Sequence, residues 1–200
     1  ASYDRDPTID YGVNKAILYT MATCHSLRLI DGELMGDPLD VKMFQFTGWN
    51  FEEGEQRSGS MNDDDQNKLS PSVARPPPGA EYDIDEDPNN PNKRPIELGV
   101  LKSFEFVSQL RRASVIVRQF GAPGGDVYVK GAPECMKDIC RPESCTYFIM
   151  WCSSAVLTTK TCYQQRQLTI CPTVPTDYDD LLSFYTHRGF RVIGCATKHI

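Results

Sequence analysis

From Glu52 to Pro95 the chain carries more prolines and carboxylates than a packed element tolerates. Whatever folds must therefore be assembled from the pieces on either side. Pro76-Pro77-Pro78, Pro88, Pro91 and Pro95 remove backbone donors that a helix or a strand ladder needs. Glu52, Glu53, Glu55, Asp63, Asp64, Asp65 and the run from Asp83 to Asp87 add charge that resists burial. The expectation is a long, acidic, Pro-rich disordered loop over 52–95, with a regulatory or docking role as its functional reading. The domain then has a first helical part at 1–51 and a sheet-bearing part at 96–200.

A hydrophobic share of 40% over 200 residues suffices for one substantial core or two small ones. The net charge of −6 argues against a dedicated nucleic-acid binder. No run in this chain reaches the roughly 20 apolar residues that span a bilayer. No basic-then-apolar leader pattern opens it, and its abrupt end at Lys198-His199-Ile200 reads as that of an excised piece. Of the eight cysteines, none forms a C-x-x-C pair, so reduced thiols are expected rather than a zinc site.

Val13, Ile17, Met21 and Cys24 recur at helical spacing, which predicts a helix over 11–30. Asp37-Pro38 is a cap followed by a first helical turn, Leu39, Met43 and Phe46 form an apolar face, and Gly48 is a stop. Leu98 to Val107 reads as a strand. Ala113 to Phe120 and Val127 to Lys130 read as a hairpin around Gly121-Ala122-Pro123-Gly124-Gly125. Pro133 opens a short helix towards Cys140. Thr176 caps another, with Tyr178, Leu181, Leu182 and Tyr185 as its stripe and Gly189 at its end. Phe190 to Ala196 is a last strand. The fold class is α+β (mixed α/β), an antiparallel sheet flanked by helices.

Four segments carry chemistry. In Lys130-Gly131-Ala132-Pro133-Glu134, a strand-end lysine can reach a phosphate or the edge of a base, and Gly131 admits close approach to the backbone. The following helix start favours negative charge. Phe104 and Phe106 share a strand face by alternation, and one ring could stack on adenine, with Arg111 and Arg112 nearby for phosphates. The alternative is that both rings are core. In Gly36-Asp37-Pro38-Leu39-Asp40 a carboxylate could accept from an adenine amino group, or simply cap the helix. In Gly189-Phe190-Arg191-Val192, Arg191 could hold a phosphate or merely be solvated. No phosphate loop, G-x-G-x-x-G or nucleophile elbow is present.

In this order the four segments resemble the nucleotide-binding domain of P-type ATPases. Lys130 to Glu134 is similar to the family's K-G-A-P-E signature, and Met35 to Trp49 (MGDPLDVKMFQFTGW) to the version in type V, subgroup B, the vacuolar or lysosomal cation and polyamine pumps. The match continues through Leu101 to Val117, Asp126 to Ser144 and Pro175 to Lys198. The resemblance implies an adenine-stacking Phe106 and a pocket lined by Lys130 and Gly131. It implies Asp40 near the adenine amino group, Arg111 facing the phosphates and Arg191 on the phosphate tail. It also implies ATP as ligand, with Mg²⁺ bound mainly by a phosphorylation domain, and the phosphorylation and actuator domains of the same pump as partners. The location implied is the cytosolic face of an intracellular membrane: vacuole, lysosome or late endosome. The family's D-K-T-G-T aspartate is absent from this chain, so the fragment alone is expected to be inactive.

Residues 145–174 depart from the family pattern. They hold Cys145, Cys152, Cys162 and Cys171 but no acid and no glycine, and show no sustained periodicity. The segment reads as an atypical insertion, compatible with a translated intron, in which case it should lack a defined fold; a lineage-specific surface insertion is the alternative. Two other functions compete with ATP binding: an interaction module acting through the acidic loop, and a haloacid-dehalogenase-like phosphatase, for which the D-x-D-x-T motif is missing.

Overall fold

A computed structural model describes residues 11–54, 71–79, 95–140, 146–153, 156–160 and 178–200. Helix α1 (Tyr11–Thr23) leads into a two-stranded hairpin, β1 (Arg28–Ile30) and β2 (Glu33–Met35), followed by helix α2 (Pro38–Thr47). Strands β3 (Asn50–Glu52), β4 (Ser72–Arg75), β5 (Leu98–Val107), β6 (Arg112–Gln119) and β7 (Asp126–Gly131) come next. Helix α3 (Pro133–Ile139), strands β8 (Thr146–Ser153) and β9 (Val156–Lys160), helix α4 (Tyr178–His187) and strand β10 (Arg191–His199) complete the order. The main sheet runs β3-β4-β5-β6-β7-β10-β8-β9, with every neighbouring pair antiparallel. Six strands form its body and the β8–β9 hairpin extends it along β10. The expected fold class is the one observed.

Local chemistry explains the helix ends. The Asp37 carboxylate accepts from the Leu39 amide at 2.9 Å, Pro38 supplies a preset first turn, and Gly48 closes α2 at φ 68° with its N–H on the Gln45 carbonyl. Helix α1 stops seven residues before the expected 30. The His25 ring bonds the Ala22 carbonyl and accepts from the Leu27 amide, turning the chain into the β1–β2 hairpin. That hairpin pivots on Asp31-Gly32, both at positive φ, a turn signal the helical reading of 11–30 passed over.

Alternation along the strands sorts the core into two layers. Val115, Val117, Tyr128 and Cys195 face α1 and α2, where they meet Ile17, Phe44 and Trp49. Tyr19 ties this layer together edge-on, its ring 5.5 Å from Trp49 and 6.4 Å from Tyr128. On the other face Val129, Val192 and Ala196 pack with Met136 of α3 and Tyr178 of α4. The buried Tyr178 hydroxyl donates to the Pro133 carbonyl, fixing α4 against the start of α3.

Two stretches correct the expectations. Ser72–Arg75, inside the 52–95 loop, is a strand between β3 and β5, with Val73 and Ala74 buried. Pro71 and Pro76 flank this four-residue run rather than interrupt it, so its amides remain free to pair. The rest of 55–94, apart from 71–79, lies outside the described residues. Within 145–174, which as a translated intron should lack a fold, β8 pairs with β10 from Arg191↔Cys152 to Thr197↔Thr146, and β9 pairs back on β8. Backbone pairing along an open strand edge needs no hydrophobic period, which is why the sequence pattern did not disclose it.

Candidate nucleotide site

The strand-end lysine sits in a cross-strand row. Lys130 is opposed by Ala113 of β6 on one side and by Cys195 of β10 on the other. On β5 the register slips between Phe104 and Val107, so Glu105 and Phe106 together oppose Ala113 alone. Such a bulge re-aims side chains, and here it brings Phe106 to the row of Lys130. Two strand spacings separate their backbones, about 10 Å, with only a methyl side chain between them. Phe106 is 60% exposed and Phe104 46%, so neither ring belongs to the core. Lys130 is 8% exposed.

Helix α2 delivers the second polar group. Asp40 lies in its first turn, and its Oδ1 accepts from Lys130 Nζ. The side chains are only 10% and 16% exposed, so the charges neutralise each other out of reach of bulk water. Lys130, expected at a phosphate or base edge, is already committed to a carboxylate. Two thiols lie close by. Burial pushes Cys24 to about 11, with the Lys130 charge offsetting part of the effect, and pushes Cys195 to about 12. Both are therefore protonated thiols at neutral pH. Cys24, Cys135 and Cys195 are free thiols.

His25, at the end of α1, is held neutral. Burial lowers it to about 4, and the nearby Lys130 ammonium works in the same direction. Its ring lies edge-on to Phe44 at 5.2 Å and to Phe51 at 5.0 Å. An unfolded His25 titrates near 6.5, so below that pH the unfolded chain takes up a proton that the folded chain refuses. Its share of stability is complete above pH 6.5 and is lost as the pH falls towards 4, by up to about 3 kcal/mol. Urea midpoints at pH 7, 5.5 and 4.5 measure this limb. His25→Gln should flatten it, and an unchanged slope would exclude His25 as its source.

Gly131 has a structural role beside the one expected. A Cβ there would lie 2.3 Å from the Arg111 carbonyl oxygen and 2.8 Å from Arg112 Cα. The backbone that approaches Gly131 is thus the chain's own, secured by the Ala132 amide on the Arg111 carbonyl at 2.9 Å. Arg111 itself adopts φ 50°, and its guanidinium pairs with Glu134 Oε1 at 2.6 Å. The start of α3 therefore presents an arginine–glutamate pair rather than a bare anion site, on a helix of seven residues. Arg191 is exposed at the first position of β10, three residues before Gly194, the partner of Gly131. Arg111 and Arg191 thus belong to the same end of the sheet as Gly131.

The structure brings Phe106, Lys130, Asp40 and Gly131 to one region, with Arg111 and Arg191 at its rim. Two clefts are lined by other residues: one of about 390 Å³ between His25, Arg28, Glu53 and Glu105, the neighbour of Phe106 on β5, and one of about 520 Å³ between Gly99, Arg118 and Phe120. Neither is lined by the six expected residues. Ala113 was missed by the reading of motifs. The period-two spacing of Ala113, Val115 and Val117 along β6 was the available signal that it shares a face with the core.

A mixed α/β module with an antiparallel sheet flanked by helices, and a K-G-A-P-E turn at a strand end, is consistent with a nucleotide-binding-domain-like fold. No described family profile matches the chain. Individual relatives do. The vacuolar cation-transporting ATPase YPK9 of Saccharomyces cerevisiae is 39% identical over 194 residues, covering 90% of this chain and 11% of the yeast protein. The polyamine-transporting ATPases 13A3 and 13A2 of Homo sapiens are 33% identical over 198 residues and 31% over 182, covering 94% and 91% of this chain. The chain spans 11% to 13% of the length of these relatives. Over about nine-tenths of its length the chain is thus similar to a fragment of the type 13A P-type ATPases.

Proposed function

We propose that this chain is the nucleotide-binding domain of a P-type cation- or polyamine-transporting ATPase. It binds ATP and presents the γ-phosphate to a catalytic aspartate in the phosphorylation domain of the same pump. Mg²⁺ is held mainly by that domain, and the phosphorylation and actuator domains are its working partners. ATP hydrolysis belongs to the whole pump, on the cytosolic face of a vacuolar, lysosomal or late endosomal membrane. The fragment, without the aspartate, turns over no ATP.

The observation that carries this reading is the β5 bulge, which sets an exposed phenylalanine in the row of a buried lysine with only Ala113 between them. An aromatic ring offers a base a stacking surface worth about 1–3 kcal/mol. The polar pair behind it supplies hydrogen-bonding groups, and Arg111 and Arg191 supply positive charge at the rim.

Titration of the chain with ATP, followed by chemical shifts or Trp49 fluorescence, tests the proposal. Phe106→Ala should weaken binding by roughly 5- to 100-fold, the equivalent of one lost stack. Its unfolding midpoint should stay close to the parent's, because Phe106 is mostly in solvent. A folded chain that ATP does not perturb would refute the nucleotide reading and turn attention to 52–95.

A further inference from the structure

The two polar side chains expected to receive a base hold each other instead. Lys130 Nζ donates to Asp40 Oδ1, both side chains are withdrawn from solvent, and they come from elements ninety residues apart in the chain. A lysine so held cannot swing towards a phosphate without stripping the Asp40 carboxylate of its counter-ion in a poorly hydrated place. The pair also presents no net charge, so this end of the site suits a neutral base better than an anionic tail. At the rim Arg111 is paired with Glu134, so a phosphate would meet Arg191 first.

We infer that Asp40 is a positioning residue: it acts on the nucleotide through Lys130, holding the ammonium beside Ala113 and Phe106, rather than by its own contact with the base. The inference rests on the nucleotide-binding reading above. It assigns Lys130 and Asp40 to a single neutral unit whose members lose their effect together.

ATP and inosine triphosphate separate this from direct recognition. The second nucleotide replaces the adenine amino group with a carbonyl, so it lacks the donor that a carboxylate would read. If Asp40 positions Lys130, Asp40→Asn weakens both nucleotides by the same factor, about tenfold. Lys130→Met has a similar effect. The double variant K130M/D40N then binds ATP within about twofold of K130M, because the second change removes nothing further. A loss on Asp40→Asn confined to ATP, with inosine triphosphate unaffected, overturns the inference, as does a double variant whose losses multiply. Should Asp40→Asn fail to fold, K130M against K130M/D40N with both nucleotides carries the same comparison. A wild-type chain that binds neither nucleotide sinks the nucleotide reading itself and this inference with it; base-selective loss sinks the inference alone.

Discussion

Gly131→Val is expected to lower the stability of this domain by about 3 kcal/mol or more, because the new side chain must displace backbone rather than a flexible group. Its Cβ would fall 2.3 Å from the Arg111 carbonyl oxygen and 2.8 Å from Arg112 Cα. Both atoms are held in place: β6 pairs Arg112 with Gly131 itself, and the Arg111 carbonyl receives the Ala132 amide. Arg111 sits at φ 50°, so the turn has little freedom to retreat. For a domain of this size the loss corresponds to a fall in Tm of roughly 6–12 °C. Thermal unfolding monitored by circular dichroism reads it directly. Gly131→Ala should show the same direction at smaller size. If Gly131→Ala instead left stability intact and only weakened ATP binding, the glycine would be there for a ligand rather than for Arg111.

The second large effect concerns the Lys130–Asp40 pair. Asp40→Asn leaves an ammonium with no carboxylate in a site where its side chain is only 10% exposed, and Lys130→Met does the reverse. Removing one member of a buried pair costs about 3–5 kcal/mol, whereas removing both is often near neutral. Each single variant should therefore unfold at a lower urea concentration. K130M/D40N should return to within about 2 kcal/mol of the parent. Additive losses in the double variant would show that the two side chains contribute separately.

The expectations that held rest on local chemistry. Asp37, Pro38 and Gly48 delimit α2 because capping, a fixed φ and a left-handed stop act within one or two residues of themselves. Leu98–Val107 and the β6–β7 hairpin around Gly121 to Gly125 were legible for the same reason, since alternation and turn residues are local signals. The strand at Ser72–Arg75 was not. Four residues between prolines have no period to measure, and what makes them a strand is the open edges of β3 and β5 on either side. The β8–β9 hairpin was hidden likewise, because the edge of β10 is formed by residues more than thirty positions away.

The site divides along the same line. Residue types and their order along the chain nominated the four segments, because a K-G-A-P-E turn and an F-x-F strand are written in consecutive residues, and the family resemblance singled out Phe106, Lys130, Gly131, Asp40, Arg111 and Arg191 within them. Their relations were not legible there, since they depend on register. A single extra residue on β5 determines that Phe106 opposes Ala113, and the docking of α2 determines that Asp40 meets Lys130 across ninety residues of sequence. It is likewise the closeness of β6 that makes Gly131 obligatory. Side-chain identity is a property of the chain, whereas which side chains neutralise, crowd or face one another is settled only when strands pair and helices pack, because those contacts are made between residues that the sequence holds far apart.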